Sequence, residues 1–589
     1  MNDTWDLSVL YRDFEDEAIR EDLDKLSRIP EKMENTLKEA LSDREKLEKL
    51  ADIMEEEAAL SEKLGSFANL TLSVESNNGP ARQLMDKLQQ MSVDVSLAEA
   101  GAARYVAGIP DLEYVITSSE KLMSIAFFLR KTREQASHLP DEQIYGWLLR
   151  MSLDGAEAFS TLRDQLDATL MVDLDGKQLP LSAVRAMAYD PDPAVRKAAY
   201  EAELESYKKI EIPMAACLNA IKGEALTMID AEHYDTVLDK TLSDSNMDRQ
   251  TLDAMWTAIR EALPDFRLYL RKKGELLGHQ NGLPFYDLFA PLSAGEEKPR
   301  TYTIEEAREK LITEMSKFSP AMGDFIAEAF DNRWIDVYPR EGKSGGAFCS
   351  GLHQLDQSRV LTNFAGSFSD VSTIAHELGH AWHNRCMKGL PYVMTDAPMP
   401  LAETASIFNE TLLAHAAMSE AGKAERFALL EGNLMETCQC MVDIYSRFLF
   451  ESEVIENRKN CNASPEDLCR MMLKAQDETY GDGLDPECRH AYMWACKCHY
   501  YFAGLSFYNF PYAFGQLFGV GMFALYQKEG ASFVPRYNQL LRSCGSMNVK
   551  DVAASVGIDV TDVGFWRGAL DVYREQIREF VNLADELKK

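Results

Sequence analysis

The chain has 589 residues, of which 46% are hydrophobic and 27% are charged, and its formal net charge is −33. This length and composition predict a folded protein with large apolar cores. Affinity for nucleic acid comes largely from neutralising phosphates with Lys and Arg, so the acidic balance argues against a nucleic acid partner.

Neither a secretory signal nor a membrane-spanning segment is predicted. The first residues are polar and acidic, and no apolar run is long enough to cross a bilayer. Eleven cysteines, an odd number scattered along the chain, are typical of reduced thiols. We therefore expect a cytoplasmic protein with no membrane partner, either a monomer or a small homo-oligomer.

Helical periodicity dominates the chain, and strand-like runs are few and short. Helices are predicted at residues 43–64, 112–137, 194–208, 249–277, 304–318 and 565–587. The clearest strands are predicted at residues 170–174 and 334–338. The expected class is mainly α, with a small β-sheet near the functional site.

The run Asp190-Pro191-Asp192-Pro193 interrupts the helical pattern. We place an N-terminal helical region at 1–195 and a second region, which carries the chemistry, at 196–589. No Ser/Gly-rich or Pro-rich linker separates the two, so we expect one continuous, multi-lobed body.

Residues 341–364 differ from the helical sequence around them. Gly345 and Gly346, followed by Ala347, allow close backbone approach, and residues 359–364 have strand character. An extended peptide could pair with the edge of such a strand. A hairpin needed only for folding explains the same pattern, and both interpretations stay open.

The most informative stretch is His376-Glu377-Leu378-Gly379-His380. On a helix the two histidines share one face and can hold a metal ion, and Glu377 beside them can take a proton from water at the metal. These are the working parts of a zinc peptidase.

The flanking residues predict that this stretch is helical. Ser369 and Asp370 are suitable N-cap residues, and Gly389 followed by Pro391 ends the segment. We therefore predict a helix over 371–388.

A catalytic zinc usually has three protein ligands, so one more is needed. Glu403 and Glu410 are predicted to share a face of a helix that begins near Pro400 and runs to about residue 420. Glu403 would bind the metal and Glu410 would accept a hydrogen bond from a ligand histidine. Asp396, in the connecting loop, is a weaker candidate.

His383 continues the stripe formed by His376 and His380. Three ligands from adjacent turns of one helix rarely surround a tetrahedral metal, so we predict a supporting or packing role for His383.

With these motifs in order along the chain, the sequence resembles the oligoendopeptidase F family of thimet-oligopeptidase-like zinc metallopeptidases. The resemblance covers most of the chain. It is carried by residues 345–349, 361–364, 370–383, 401–410 and 506–515.

The resemblance implies one zinc ion per chain, held by His376, His380 and Glu403. It matches Glu410 to the Glu seven residues after the third ligand, and it implies that the 345–347 segment binds substrate backbone. It also implies a deep channel enclosed by helices that admits short unfolded peptides.

The family places a His and two Tyr late in the chain, where they stabilise the oxyanion. The nearest matches here are His499, Tyr508 and Tyr512. Tyr500 and Tyr501 offer competing hydroxyls, and Tyr512 is the best match of the set. Core packing in an aromatic-rich segment is the alternative explanation of the tyrosines.

Four functional hypotheses follow. The first is a zinc endopeptidase that hydrolyses short peptides, and the second is a peptidase of the same mechanism that releases dipeptides from the carboxyl end. The third is a di-iron helical protein, because Glu377-His380 and Glu487-His490 both have Glu-x-x-His spacing. The fourth is a peptide-binding module without activity, against which the intact Glu377 argues.

Overall fold

A computed structural model describes residues 3–292 and 300–587. As predicted, helices predominate and the strands are few and short. The α-helices are α1 (Glu17–Ser27), α2 (Ile29–Lys38), α3 (Asp43–Val74), α4 (Gly79–Gly108), α5 (Leu112–Thr117), α6 (Glu120–Ser124), α7 (Ala126–Ala136), α8 (Glu142–Asp154), α9 (Ala156–Thr169), α10 (Leu181–Ala186), α11 (Pro193–Tyr207), α12 (Glu211–Ala231), α13 (Val237–Asp244), α14 (Arg249–Leu276), α15 (Ile304–Phe318), α16 (Pro320–Asp331), α17 (Phe368–Cys386), α18 (Met399–Ala402), α19 (Thr404–Glu420), α20 (Lys423–Cys438), α21 (Ile444–Arg458), α22 (Pro465–Tyr480), α23 (Met493–Cys496), α24 (Phe510–Glu529), α25 (Val534–Ser543), α26 (Val549–Ala554) and α27 (Val563–Leu587). The strands are β1 (Met171–Leu174), β2 (Lys177–Pro180), β3 (Ile335–Asp336), β4 (Phe348–Leu352) and β5 (Gln357–Leu361).

The described residues form two compact units, each assembled from three segments of the chain. The first unit contains residues 3–142, 300–416 and 522–557. The second contains residues 143–292, 417–521 and 558–587. The division at residue 195 stays a prediction about regions of the sequence, and the compact units combine segments from both sides of it.

In the first unit, helices α1 to α7 pack around one apolar core. Leu64 and Ile29 are fully buried in it, and Leu352 of β4 and Met394 extend it toward the second segment of the unit. The N-terminal helices therefore support β4 of the sheet that comes before the His376 helix in the chain.

The first unit also contains a three-stranded sheet with the order β3-β5-β4. β4 and β5 are antiparallel, with Phe348 opposite Leu361, and β3 runs parallel to β5. β4 is thus an edge strand of this sheet. Its carboxyl-terminal residue Leu352 is fully buried, whereas the four residues before it are partly exposed.

The second unit is built on long helices that pack side by side. α14 packs along α27, α9 packs on α12, and α21 packs on α22. A π-helical turn, Gln439–Asp443, joins α20 to α21, and the hairpin of β1 and β2 completes the unit.

One predicted helix is wrong in the structure. Residues 112–137 form three short helices, α5 to α7, instead of one. Ser119 has an extended backbone, and its side chain accepts a hydrogen bond from the amide of Leu122. A capping serine of this kind begins a new helix and interrupts the periodic pattern.

Among the described residues, no helix combines the length and the apolar composition that crossing a bilayer requires.

Candidate metal centre

Helix α17 carries the two histidines, and its start is fixed by a capping box. The Ser367 side chain accepts a hydrogen bond from the Asp370 amide, and the Asp370 carboxylate accepts one from the Ser367 amide. The prediction that Ser369 or Asp370 caps the helix is therefore wrong, because Asp370 is the third residue of the helix and the partner of the true cap.

The structure brings His376, His380 and Glu403 together. His376 Nε2 lies 3.2 Å from His380 Nε2 and 3.2 Å from Glu403 Oε2, and His380 Nε2 lies 3.5 Å from the same carboxylate oxygen. Among the described residues they are the group of metal-binding side chains whose ligand atoms all lie within 4.8 Å of one another.

These separations match those around a tetrahedral zinc ion. With ligand bonds of about 2.0–2.1 Å, the edge of a coordination tetrahedron is about 3.3 Å. Two imidazole nitrogens and one carboxylate oxygen are also donor types that zinc prefers. The residues present therefore fit a zinc ion, with one position left for water.

Glu403 does not lie inside a helix, as the sequence suggested, but at the junction of α18 and α19. It caps the carboxyl end of α18, and its carboxylate accepts a hydrogen bond of 3.0 Å from the Ser406 hydroxyl. This break turns the side chain toward α17 and holds it there. Ser406 was not predicted, although its place three residues after Glu403 offered a clue.

Close packing of α19 against α17 sets the distance between the ligands. A Cβ atom on Gly379 would lie only 2.5 Å from the Cα of Ser406 and 2.6 Å from the carbonyl oxygen of Ala405. Asn409 donates a hydrogen bond of 3.2 Å to the carbonyl of Ala375. Gly379 of the motif is therefore required by packing, and Asn409 is a second positioning residue that the sequence did not reveal.

Glu410 reaches the other nitrogen of His376, with 3.4 Å between Nδ1 and Oε1.

His383 does not belong to the ligand group. It is buried, and its Nε2 lies 3.1 Å from the carbonyl oxygen of Leu541. Burial and the charge of His380 lower the pKa of His383 to about 4, so its imidazole is neutral. Asp396 is exposed and is not part of the ligand group.

Glu377 lies beside the ligands and is 6% exposed. Its carboxylate makes no hydrogen bond or ion pair within the described part of the chain, so it is available to other groups. Burial raises its pKa, although the neighbouring histidines act in the opposite direction. β4 packs against α17, the helix that carries Glu377. Burial raises the pKa of the Cys349 thiol on this strand.

Electrostatics within the ligand group are strongly coupled. Burial opposes charge on both His376 and Glu403. Hydrogen bonds and charges outweigh it. Glu403 and Glu410 together raise the pKa of His376, and the two histidines together lower the pKa of Glu403. Metal binding to such a group displaces the histidine proton.

The glycine segment precedes β4 directly. Gly346 has a φ of +77°, a conformation that glycine adopts without strain, and no atom lies near the position of a Cβ on Gly345 or Gly346. Asn363 donates hydrogen bonds of 3.0 and 2.8 Å to the carbonyls of Ser344 and Gly346. The segment through Ala347 is thus fixed at one end of the edge strand.

The three late candidates form one aromatic cluster in the second unit. The ring of His499 lies 5.5 Å from that of Tyr508 and 5.9 Å from that of Tyr512, and the two tyrosine rings are 5.6 Å apart. Tyr500 and Tyr501 are fully buried elsewhere in the core. Of these five aromatic residues, the structure groups the three that the resemblance indicated.

Buried charges hold the segment that carries Tyr508. Lys222 of α12 and Glu451 of α21 form a fully buried ion pair of 2.7 Å. Glu451 also accepts a hydrogen bond from the Phe507 amide, and Lys222 donates one to Ser506. Phe507 itself has a φ of +57°, unusual for a residue with a side chain, and these bonds fix the turn.

The Glu-x-x-His spacing at Glu487 does not form a second metal site. Glu487 is exposed and the segment through His490 is not helical, because it follows a turn-rich stretch. Within the described part of the chain, Glu487 and His490 belong to no metal-binding group.

Known proteins resemble this chain along its whole length. A sequence profile described as Peptidase family M3 matches residues 186–572. Oligopeptidase PepF of Bacillus subtilis is 22% identical over 608 residues, which cover 100% of this chain and 88% of that protein. Group B oligopeptidase PepB of Streptococcus agalactiae is 24% identical over 499 residues, covering 83% of this chain and 80% of that protein.

Solved structures share the fold. A peptidase structure from Chlamydophila abortus superposes with a TM-score of 0.79 at 22% identity, covering 99% of this chain and 98% of that one. Oligoendopeptidase-F from Enterococcus faecium gives a TM-score of 0.73 at 17% identity, covering 97% and 98%. Because the family profile spans well over half of the chain and includes all three ligand residues, the protein belongs to peptidase family M3.

Proposed function

We propose that this protein is a zinc-dependent endopeptidase that hydrolyses short, unstructured oligopeptides. The observation that carries the proposal is the geometry of His376, His380 and Glu403, whose ligand atoms stand at the separations of a zinc tetrahedron. Family membership and the oligopeptidase names of its relatives supply the substrate class. The intact Glu377 distinguishes it from a binding module without activity.

When bound, zinc would lower the pKa of a water molecule at its open position and polarise the scissile carbonyl. Glu377 would accept the proton of that water and later donate it to the leaving amine. Its free carboxylate and buried position suit this exchange. Glu410 would hold His376 in the orientation that presents Nε2 to the metal.

Tyr512, with Tyr508 or His499, would donate hydrogen bonds to the oxyanion that forms as water adds to the carbonyl. The clustering of the three rings supports their acting as one group. His499 suits a donor role because burial, together with the charges of Arg447 and Lys497, lowers its pKa to about 4. A neutral imidazole keeps one N–H to donate at physiological pH.

Substrate backbone would pair with the free edge of β4, beginning at Gly345, Gly346 and Ala347. Pairing through main-chain amides binds peptides of many sequences, and only an extended chain can make it. The packing of β4 against α17 supports this path, because it would bring the paired backbone near the helix that carries the general base. A deep channel, which the family resemblance implies, would limit the size of the peptides that reach the metal centre.

Release of carboxyl-terminal dipeptides by the same chemistry remains the second candidate. The two modes share every residue named above and differ in which bond is cut. Sequencing the products of a blocked and an unblocked peptide distinguishes them, because a dipeptide-releasing enzyme needs the free carboxyl end.

The test of the mechanism is Glu377→Gln, which keeps the shape of the side chain and removes the base. We expect one zinc per chain by metal analysis, as in the wild type, and a loss of turnover of about 10²–10⁴-fold. Glu456→Gln, at an exposed glutamate paired with Lys459, is the matched control and should change neither quantity. Unchanged turnover in Glu377→Gln would rule out the mechanism.

A further inference from the structure

A cavity in the second unit is separate from the residues assigned above. Its volume is about 160 Å³, a size that accommodates one benzene-sized ring. All of its lining residues belong to the second unit. Aromatic side chains form much of its wall, and they are Tyr189, Tyr200, Phe285, Tyr286 and Phe289.

Among the charged residues that line this cavity, one cation has no salt bridge. Arg196 is neutralised by Asp287 directly behind it, at 2.7 Å, and Arg185 lies 3.2 Å from Glu203. Lys497 also lines the cavity, and among the described residues its ammonium forms no salt bridge. The charge of Asp443 attracts this ammonium, but the Asp443 carboxylate is already bound by Arg447 at 2.5 Å. In a protein with a net charge of −33, a half-buried lysine without a salt bridge is unusual.

Two further polar groups in the wall lack partners. Gln439 Nε2 is buried and makes no hydrogen bond, and neither does Nδ1 of His490, a residue that is 2% exposed. Buried polar atoms are normally satisfied, so both indicate a missing ligand or water. Gln439 is the first residue of the π-helical turn, a kind of irregularity that is frequent at functional sites.

Together these features describe a site for an anion attached to a flat apolar group. An ammonium and an amide N–H are donors for a carboxylate, and Arg185, which is 38% exposed, offers its guanidinium nearby. The side chains of Tyr200 and Phe285, which line the cavity, provide apolar surface for the ring.

We propose that this cavity binds a small aromatic carboxylate, with Lys497 and Gln439 holding the carboxylate and the aromatic wall holding the ring. The site is distinct from the metal centre, so binding requires neither zinc nor Glu377. The burial that lowers the pKa of Lys497 would be offset by the ligand's negative charge. Small carboxylic acids that carry a single aromatic ring have this chemistry.

Isothermal titration of the full chain with 3-phenylpropanoate tests the proposal. We expect saturable binding with one site per chain, in the wild type and in Glu377→Gln alike. The uncharged isostere 3-phenylpropanamide should bind at least about tenfold more weakly, the effect of losing one charge-assisted hydrogen bond.

Two variants locate the site. Lys497→Met should weaken carboxylate binding about tenfold or more, and Ala188→Phe, which places a ring in the cavity, should abolish binding of both compounds. Lys474→Met, at an exposed lysine paired with Glu453, is the control and should bind as the wild type does. Circular dichroism should show that each variant is folded.

Three results would overturn the proposal. They are equal affinity for the acid and the amide, unchanged affinity in folded Lys497→Met, and no saturable binding by the wild type. Because the readout is binding and not hydrolysis, failure here is separable from failure of the peptidase mechanism.

Discussion

The chemistry of the metal centre depends on single side chains whose roles follow from their surroundings. Glu377 is buried and Glu403 is partly buried, and the two carboxylates have different partners. Glu403 receives hydrogen bonds from both histidines and from Ser406, which keep it charged, whereas Glu377 has no such partner. One carboxylate is thus suited to hold a metal and the other to exchange a proton.

The imidazole of His499 should remain neutral at physiological pH. Its pKa is lowered to about 4, first by burial and then by the charges of Arg447 and Lys497, so it should stay neutral from pH 5 to pH 8. An NMR titration of the imidazole signals, assigned by comparison with His499→Gln, should show no change for His499 in that range. A transition between pH 6 and pH 7 would contradict the donor role proposed for the neutral ring.

The two histidines were recognisable from sequence because a four-residue spacing places side chains on one helical face, and Glu377 is part of the same motif. Glu403 and Glu410 were found as carboxylates downstream of it, although the single helix predicted for them is broken at Glu403. The roles of Ser406 and Asn409 were not recognisable, since they depend on where α19 lies against α17. The spacing of residues along the chain predicts which side chains share a face of one helix. It does not predict which other helix packs against that face.

At the scale of elements, Gly379 controls how closely α17 and α19 approach. Gly379→Ala should lower the free energy of unfolding by about 1–3 kcal/mol, because the added methyl group overlaps the backbone of Ser406. It should also reduce bound zinc by separating the ligands. Urea unfolding and metal analysis measure the two effects.

Gly432→Ala is the matched control, because Gly432 also lies inside a helix but has open space around its Cα. It should be neutral or stabilising by up to about 1 kcal/mol. Equal behaviour of the two variants would contradict the packing role of Gly379.

The buried ion pair of Lys222 and Glu451 joins α12 to α21, and breaking it should destabilise the second unit. Lys222→Met leaves Glu451 buried without its cation, which should lower the free energy of unfolding by about 3–5 kcal/mol. It should also reduce activity, because Glu451 anchors the turn before Tyr508. Lys474→Met, which breaks only an exposed pair, should cost less than about 1 kcal/mol. Similar urea midpoints for both variants would exclude the anchoring role.

Helix boundaries were predictable where the caps are unambiguous. The helix predicted at 304–318 matches α15, which begins with a capping box at Thr303. The 112–137 prediction failed where Ser119 caps a new helix inside an otherwise periodic run. A serine in such a run can cap a new helix or face solvent, and tertiary contacts decide which.

Each unit of the molecule is assembled from three distant segments of the chain, and the sequence does not predict which segments pack together. Periodicity reports the buried face of a helix but not its partner, and α14 packs along α27 although nearly three hundred residues separate them. The mainly helical class was predictable, because it depends only on local pattern.

The net charge of −33 should make the thermal stability of the protein depend on salt. Repulsion among the excess carboxylates destabilises the folded state, and salt screens it over a Debye length that shrinks to about 8 Å at physiological ionic strength. Differential scanning calorimetry should therefore show the Tm rising as sodium chloride increases from low to physiological concentration. A Tm that falls over this range would contradict a dominant role for the net charge.

The most direct test of a zinc oligopeptidase is mass spectrometry of a mixture of unstructured peptides of graded length, with one folded protein. The mixture is incubated with the enzyme before chelation, after chelation and after zinc is restored. We predict internal cleavage of the short peptides alone, lost on chelation and recovered with zinc. Cleavage that survives removal of the metal, or no cleavage under any condition, would contradict the assignment of His376, His380 and Glu403 as the ligands of a catalytic zinc ion.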